Sequence, residues 1–277
     1  GGTQTISGFG FQPDFTWIKN RGATADNVLM DSTRGAYASN DYYYLRSNTT
    51  AVQDHTTDFH NFASDGFIMS GTGTYFNASG NTFVSSICSP IPTYKSMDKV
   101  GNWWVFSDGQ TNWNYGMNLN STGASTDKSG NGSMSAPTST VFSTNYTDGL
   151  NENGNDLIAY CFANCEGYIK SGVYEGNGNA DGSFVYTGFR PALIIYKNVD
   201  ASQSWVLIDN ARNTYNVSAK ALGAEGTWAE SDSTVTYGLD ILSNGFKMRG
   251  TNNVSNGSYT YLYLAFAKNP FKYATAR

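Results

Sequence analysis

Two carboxylate–arginine pairs with the same spacing are the first residues of this chain that could do chemistry. Asp31 is followed three residues later by Arg34, and Asp209 is followed at the same distance by Arg212. A carboxylate at the end of a strand can close a turn through a charge-assisted hydrogen bond to such an arginine. The same pair could instead bind a sugar hydroxyl or a partner's carboxylate. We predict structural pairs, because turn closure is the commoner use of this arrangement.

Hydrolytic or metal chemistry would draw on the two histidines. His55 and His60 lie close together in a polar stretch with interleaved aspartates. A zinc-type site needs three or four converging ligands, and no cysteine or further histidine lies nearby. A serine–histidine–aspartate triad lacks the Gly-x-Ser-x-Gly turn that often presents its nucleophile. We therefore predict that this stretch is a solvated loop.

Glycoside hydrolysis is the main enzymatic alternative, because it needs only two carboxylates about 5 to 10 Å apart. Glu225 and Glu230 flank Trp228 in a segment that is typical of a loop, and the aromatic ring could line a sugar platform. The strand-borne Glu-x-Asp-x-x-Glu pattern of sandwich glucanases does not occur there. We expect no enzymatic activity, with a polysaccharide-degrading enzyme using one of these glutamates as the alternative.

The best candidate for an ion site is a short loop of oxygen-bearing side chains. Asn177, Asn179 and Asp181 alternate before Gly182, as they do in calcium loops. The distal bidentate glutamate of such loops is replaced by Gly188. We predict an ordinary hairpin turn, with calcium as a weak alternative, and we expect no cofactor.

Aromatic residues are the remaining binding candidates. Tyr and Trp offer stacking area for sugar faces and amphipathic area for protein interfaces at low entropic cost. Six of them stand in segments that we predict to be exposed loops: Tyr42, Tyr43, Tyr44, Trp113, Tyr115 and Trp228.

All these candidates are embedded in a repeated sequence. Lys19 and Asp31 recur 178 positions later as Lys197 and Asp209, each time after a Gly-Phe-x-Pro motif. A shorter copy lies between them, in which Asp108 takes the place of the aspartate and no arginine follows. Sustained register of this kind indicates duplicated structure. We place the units at residues 1–88, 89–165 and 166–277, the middle one abbreviated.

Composition decides the fold class. The chain has 30 Gly, 19 Tyr, 16 Phe and 6 Trp, a composition that favours short strands joined by tight turns. Helix-forming stretches are scarce, since no apolar stripe of helical period runs over three turns. Each unit has five or more predicted strands. We therefore predict an all-β chain of tandem antiparallel β-sandwich modules, jelly-roll or concanavalin-like, with propeller blades as the rival architecture.

The charge and the hydropathy of the chain exclude two classes of partner, and the spacing of its cysteines predicts their redox state. The net charge of −5, with 17 thinly spread Lys and Arg, argues against nucleic acid, which requires clustered cations. No apolar run approaches the 18 or so residues of a membrane span. Cys88 and Cys161 fall in the predicted closing strands. Cys161 and Cys165 would be too far apart on one strand for a direct bridge, so a disulfide between them, the alternative, requires an intervening turn. We predict reduced thiols buried in the core.

The motifs together resemble a family of tailed-phage virion proteins built of tandem concanavalin-like repeats, of a type found in marine phages. The resemblance rests on Gly-Phe-x-Pro, Asp-x-x-Arg, the Asp/Asn-Gly-Phe at residues 65–67 and 244–246, and the closing runs at 159–163 and 265–273. It implies a non-enzymatic virion surface component: a tail fibre, tail-associated protein or head decoration. The partners it implies are other virion proteins, further copies of this chain and a host surface glycan, and a free secreted lectin is a second alternative. Specific functions are expected in the loops where the copies differ.

Overall fold

The structure is a computed structural model that describes residues 2–9, 12–76, 78–80, 82–86, 93–129, 134–138, 140–144 and 154–269. The described strands pair in antiparallel fashion, and the single described helix, α1 (Thr234–Tyr237), has four residues. The predicted all-β sandwich class is confirmed. Each described sheet draws its strands from one of three stretches, here named the first (residues 4–86), second (93–160) and third (169–267) sandwich. The predicted unit boundaries stay a prediction.

The first sandwich packs a six-stranded sheet against a three-stranded sheet. Its strands are β1 (Gln4–Ser7), β2 (Phe15–Asn20), β3 (Asn27–Asp31), β4 (Ala36–Ala38), β5 (Asp41–Arg46), β6 (Asp54–Thr56), β7 (Phe59–Ala63), β8 (Gly66–Met69) and β9 (Phe83–Ser86). The large sheet has the order β4-β5-β3-β2-β9 with β6 beside β5, and the small sheet has the order β1-β8-β7. Ile18 and Val28 of the large sheet meet Phe59 and Phe67 of the small one.

The third sandwich repeats this plan. Its strands are β17 (Ile169–Glu175), β18 (Phe184–Tyr186), β19 (Pro191–Asn198), β20 (Val206–Asp209), β21 (Lys220–Gly223), β22 (Ser231–Asp232), β23 (Leu239–Leu242), β24 (Gly245–Met248) and β25 (Thr260–Ala267). The large sheet runs β17-β25-β19-β20-β21-β22 and the small sheet β18-β24-β23. Pro191 opens β19, where its missing N–H costs nothing because it stands at the start of the strand.

The second sandwich is a reduced version. Its strands are β10 (Thr93–Ser96), β11 (Trp104–Val105), β12 (Tyr115–Asn118), β13 (Thr126–Asp127), β14 (Met134–Ser135), β15 (Ser143–Thr144) and β16 (Leu157–Tyr160). The large sheet has the order β13-β12-β11-β10-β16, and β14 and β15 form a two-stranded sheet. Its own core is small, with Trp104, Phe106 and Met134 buried.

A central core joins the three sandwiches. Along the equivalent strands β3, β11 and β20 of the large sheets, alternate residues point to opposite faces. Val28, Trp104 and Val206 lie in the core of their own sandwich, whereas their neighbours Leu29, Val105 and Leu207 lie in one shared cluster. All three large sheets are therefore buried on both faces, which explains why their strands consist of nearly continuous apolar residues.

Backbone hydrogen bonds close the three sandwiches into a ring. Two backbone hydrogen bonds recur at each junction between sandwiches, at 2.8 to 3.1 Å. Between the first and second sandwiches, Gly101 N donates to Thr50 O and Gln53 N donates to Met97 O. The equivalent bonds are Gln203 N to Thr122 O and Ser125 N to Val199 O between the second and third sandwiches, and Ala25 N to Thr227 O and Glu230 N to Arg21 O between the third and first. Because each junction has both bonds, no sandwich is terminal in the ring.

A side chain adds a third recurring bond to each junction. The indole N–H of Trp103 donates to Arg46 O at 2.8 Å, and that of Trp205 donates to Asn118 O at 3.0 Å. At the remaining junction the amide of Asn27 donates to Gly223 O at 3.1 Å. Asn27, Trp103 and Trp205 also occupy one position in their sandwiches, since the carbonyl of each accepts from Ser47, Leu119 and Ala224, respectively.

The recurring lysines lie beside these junctions and are fully buried. Lys19, Lys95 and Lys197 have 0–2% of their surface exposed. Their ammonium groups donate only to backbone carbonyls: Lys19 to Ala25 O at 2.6 Å and Lys197 to Asn198 O at 2.6 Å. Lys95 donates to Thr50 O at 2.9 Å, across the junction to the first sandwich. Burial lowers the pKa of each of the three to about 8.

The recurring Asp/Asn-Gly-Phe motif has a steric cause. Gly66 begins β8 and Gly245 begins β24, and in both places a neighbouring strand passes directly over the glycine. A Cβ at Gly66 would lie 1.8 Å from Ile6 O, and one at Gly245 would lie 2.1 Å from Val185 O. Only glycine allows the two strands to approach this closely.

Candidate functional site

Both predicted carboxylate–arginine pairs form, with the same geometry. In each pair, the backbone N–H of the arginine donates to the aspartate Oδ1 at 2.9 Å, and the guanidinium group of the same arginine contacts Oδ2. Arg34 also donates to Leu29 O, and Arg212 to Leu207 O, both at 3.0 Å. The arginine side chains are only 4% and 3% exposed. The pairs therefore stabilise the turns after β3 and β20, and their charges are not available to a ligand.

In the second sandwich the same turn is built from neutral residues. The sequence alignment put Asp108 at the aspartate position, but the structure puts Ser107 there, because Ser107 Oγ accepts from Gly109 N as Asp209 Oδ1 accepts from Ala211 N. Gln110 then takes the arginine position, with its amide 3.5 Å from Val105 O. Asp108 is left exposed beside this turn.

Glu230 forms ion pairs at the junction between the first and third sandwiches. Its carboxylate receives two hydrogen bonds from Arg21, at 2.8 and 2.9 Å, and one from Arg212 at 3.2 Å. Burial alone would raise the pKa of Glu230, but these guanidinium groups hold it below its usual value. A carboxylate in this state is a poor general acid, and it links the first sandwich to the third.

Glu225 also has a structural role. Its Oε2 accepts from Trp205 N at 2.9 Å, as Asn48 Oδ1 does from Asn27 N and Asn120 Oδ1 from Trp103 N. The residue therefore replaces an asparagine of the other sandwiches. Burial raises the pKa of Glu225, while a hydrogen bond from Ser204 opposes the rise.

Glu225→Gln should accordingly be well tolerated. The glutamine Oε1 can still accept from Trp205 N, so we expect the free energy of unfolding to change by less than about 1 kcal/mol. Urea denaturation checks this, and Glu225→Leu, which removes the acceptor, should cost about 1–3 kcal/mol. Equal losses in the two variants would contradict the acceptor role.

The stretch from Asn177 to Asp181, which we predicted to be a hairpin turn, instead connects β17 of the large sheet to β18 of the small sheet, because these two strands do not pair with each other. Its own side chains close this loop. Asn177 Oδ1 accepts from Asn179 N at 3.0 Å, and Asn179 Oδ1 accepts from Asp181 N at 2.9 Å. Asp181 forms an ion pair with Lys247, which lowers its pKa. Among the described residues, no group of three or more His, Cys, Asp or Glu side chains could hold a metal ion.

The three consecutive tyrosines do not lie in an exposed loop but on β5. Tyr44 is 5% exposed and belongs to the core of the first sandwich. Tyr42 is half-buried and packs edge-on against Phe59, with ring centroids 5.5 Å apart. Tyr43 points to the opposite face, as strand alternation requires.

On that face Tyr43 belongs to an exposed aromatic platform. Tyr37, which is 55% exposed, stacks on His55 with ring centroids 4.0 Å apart and meets Tyr43 edge-on at 5.5 Å. His55 Nδ1 lies 2.9 Å from the Asp41 carboxylate. The predicted solvated loop around His55 and His60 is wrong, because these residues lie on β6 and β7.

Trp228 and Tyr115 are half-buried rather than freely exposed. Trp228 lies over two glycines, where a Cβ at Gly223 or Gly226 would come within 2.4 Å of the indole. Its ring is also stacked near Tyr237, with centroids 6.3 Å apart. Tyr115 begins β12 at the pairing with Asp127. The indole of Trp228 thus fills a structural gap.

Trp113, the last aromatic candidate, lines a cavity of about 470 Å³ between the second and third sandwiches. This size lies in the range of roughly 300–1,000 Å³ that is typical of small-molecule sites. The full lining of this junction cavity comprises Ser107, Asp108, Trp113, Pro137, Thr138, Thr140, Val141, Phe142, Cys161, Phe162, Ala163, Asn164 and Ser171. It combines aromatic rings with hydroxyl, amide and carboxylate groups.

The cysteines differ from the prediction in their placement. Cys161 and Cys165 are both free thiols, but both are exposed rather than buried in the core. The reason is that β16 ends at Tyr160, so Cys161 already belongs to the connection that lines the junction cavity. Cys88 lies outside the described residues.

Sequence reasoning missed Tyr37 on the platform and Phe142, Asn164 and Ser171 in the cavity. None of them stands in a repeated motif, and their only signal is that they fall where the copies differ. Tyr160 was also missed. Its hydroxyl donates to Asp31 Oδ2 at 2.8 Å, across the junction between the first and second sandwiches.

Comparisons with known proteins give a family but no activity. The model of a family described as "Domain of unknown function (DUF7483)" matches residues 1–88 and 90–270. No curated protein and no solved structure matches the chain. Among the residues that the structure describes, no helix is long and apolar enough to span a membrane.

Proposed function

The chain belongs to the family described as domain of unknown function (DUF7483), and for this member we propose a non-enzymatic virion surface protein that contacts a host glycan. The tail fibre, tail-associated and head-decoration roles all fit this proposal. A free secreted lectin is the alternative. The observation that carries the glycan contact is the junction cavity, which is lined by Trp113 and Phe142 together with several hydroxyl groups and one carboxylate.

The scaffold part of the proposal rests on where the polar residues go. The recurring aspartates, arginines and lysines hold turns and junctions together, and the glutamates considered for catalysis do the same. A rigid ring of three sandwiches suits a protein that supplies shape to a larger assembly. Purification should find this protein with intact particles in a fixed ratio; a soluble protein absent from particles would support the lectin alternative.

The glycan part rests on the chemistry of the cavity. A sugar ring has an apolar face and a rim of hydroxyl groups, which match an indole and polar side chains, respectively. Trp113 is half-buried and packs with Phe142 against Trp104, Phe106 and Met134. Its ring is therefore held in place before a ligand arrives, which reduces the entropic cost of binding.

Trp113→Ala should weaken binding of host surface oligosaccharide at least about tenfold, equivalent to about 1.4 kcal/mol. Isothermal titration calorimetry on the whole chain measures this. Thr140→Trp, which fills the cavity from its exposed edge, should weaken binding as well and guards against misfolding of the first variant. Tyr215→Ala removes a ring that is 86% exposed outside the cavity and is the matched control.

Unchanged affinity in both cavity variants would overturn the glycan proposal. The same oligosaccharides, incubated with the protein for long periods, should release no new reducing ends. Turnover that is abolished by Glu225→Gln would instead establish the polysaccharide-degrading alternative.

A further inference from the structure

The three equivalent turns of the ring differ in one respect that bears on ligand choice. In the turn after β3, Arg34 neutralises the charge of Asp31, and in the turn after β20, Arg212 neutralises the charge of Asp209. After β11 the paired positions are Ser107 and Gln110, which carry no charge. The charge of this turn sits one residue further on, at Asp108.

Asp108 has no cationic partner within the described part of the chain. Among the described residues, Asp108 accepts one hydrogen bond, from Ser107 Oγ at 3.3 Å, and it is an exposed residue of the cavity lining. No lysine or arginine belongs to the lining of this cavity. An acidic group without a counter-charge, in a partly enclosed space, creates a negative potential that favours a cation.

The connection from the second to the third sandwich supplies ordered polar groups to the cavity lining. Asn164 Oδ1 accepts from Ser171 N at 2.6 Å and from Ser171 Oγ at 3.1 Å, so the connection into the third sandwich is pinned to β17. Trp113 and Phe142 lie on the side of the second sandwich. A ligand in the cavity would therefore meet the aromatic rings of Trp113 and Phe142, the Asp108 carboxylate and the polar groups of Asn164 and Ser171.

We propose that the junction cavity binds an amino sugar, with the sugar's ammonium group facing Asp108 and its ring facing Trp113. The proposal rests on the glycan contact proposed above and names its chemical class. Anionic sugars are disfavoured because the lining carries a carboxylate and no cation. Neutral sugars keep the aromatic contact but gain nothing from the charge.

The test is calorimetry of three trisaccharides with the full chain: a glucosamine trimer, its fully N-acetylated form and a β-glucose trimer. We expect the glucosamine trimer to bind at least tenfold more tightly than the other two at low salt. Raising the salt concentration should reduce this preference, because it screens an exposed charge pair.

Asp108→Asn should remove the preference for glucosamine and leave binding of the neutral trimers unchanged. Asp232→Asn makes the same change of net charge at an exposed aspartate outside the cavity, and should keep the preference. Trp113→Ala should lower the affinity for all three trisaccharides. Protection of Cys161, which lines the cavity, from a thiol reagent gives a second readout, with the exposed Cys165 as the unprotected reference.

The outcomes separate the two proposals. Equal affinity for the three trimers, or a preference that survives Asp108→Asn, overturns the amino-sugar inference and leaves the glycan contact standing. No binding of any sugar, together with no protection of Cys161, overturns both.

Discussion

Replacing Trp205 by alanine should lower the free energy of unfolding by about 3–5 kcal/mol, the usual cost of truncating a buried Trp. Trp205 is 2% exposed and lies in the central core that all three large sheets share. Its indole N–H also donates across a junction, to Asn118 O. The substitution thus removes both buried apolar surface and one of the recurring bonds.

Urea denaturation followed by far-ultraviolet circular dichroism and tryptophan fluorescence measures this loss. Trp205→Phe keeps most of the packing and loses the N–H donor, so we expect an intermediate loss. Tyr215→Ala, at an 86% exposed ring, should change stability by no more than about 0.5 kcal/mol. Because the core is shared, the two probes should report a single transition; separate transitions for different sandwiches would contradict the closed ring.

Stability should rise as the pH is raised from about 8 toward 10. Burial lowers the pKa of Lys19, Lys95 and Lys197 to about 8, below the ordinary lysine value of about 10.4. Between these values the unfolded chain binds more protons than the folded chain, so raising the pH favours folding. Each lysine could contribute on the order of 3 kcal/mol, although hydrogen bonds from the ammonium groups to carbonyls reduce this.

Above pH 10 the trend should reverse. Burial raises the pKa of Tyr44 and Tyr261 to about 12 and that of Tyr174 and Tyr196 well above the ordinary value. The stabilising contribution of these tyrosines to the free energy of unfolding is therefore present below pH 10 and is lost at higher pH, because the phenols of the unfolded chain release their protons first. Urea midpoints at pH 7.5, 9.5 and 11.5 measure the maximum.

Lysine variants identify the source of the alkaline rise. Lys197→Met should flatten the slope between pH 8 and 10 by about a third, whereas Lys268→Met, at an exposed position, should leave it unchanged. A wild-type slope that is flat over this interval would mean that the carbonyl groups around the ammonium ions fully offset their burial.

The strand positions were largely predictable from local patterns. The apolar stretch at residues 27–31 forms β3, and the apolar run at residues 261–267 lies within β25. Apolar and β-branched residues bounded by proline and glycine carry this information. The carboxylate–arginine pairs were predictable as well, because their partners are only three residues apart in sequence.

The central core and the cavity could not be predicted in this way. A buried residue has the same apolar character whether it packs inside its own sandwich or against a neighbour, so Leu29 and Val28 look alike in sequence. The place of Ser107 was missed because the alignment matched residue type and placed Asp108 opposite the aspartates. Ser107 lies 12 positions after Lys95, the same spacing as from Lys19 to Asp31, and its hydrogen bond confirms the equivalence. Cavity residues such as Phe142 and Ser171 are brought together by the junction, about 30 positions apart in the chain.

The ring is made by one continuous chain, and this gives its junctions an independence that identical subunits would not have. In an assembly of three identical subunits, a substitution at the subunit contact appears in all three places at once. Here the contact between the first and third sandwiches carries the Arg21–Glu230 ion pair, the contact between the first and second carries the Tyr160–Asp31 hydrogen bond, and the contact between the second and third opens into a cavity. Two contacts can therefore be specialised for strength while the third is free to acquire a ligand.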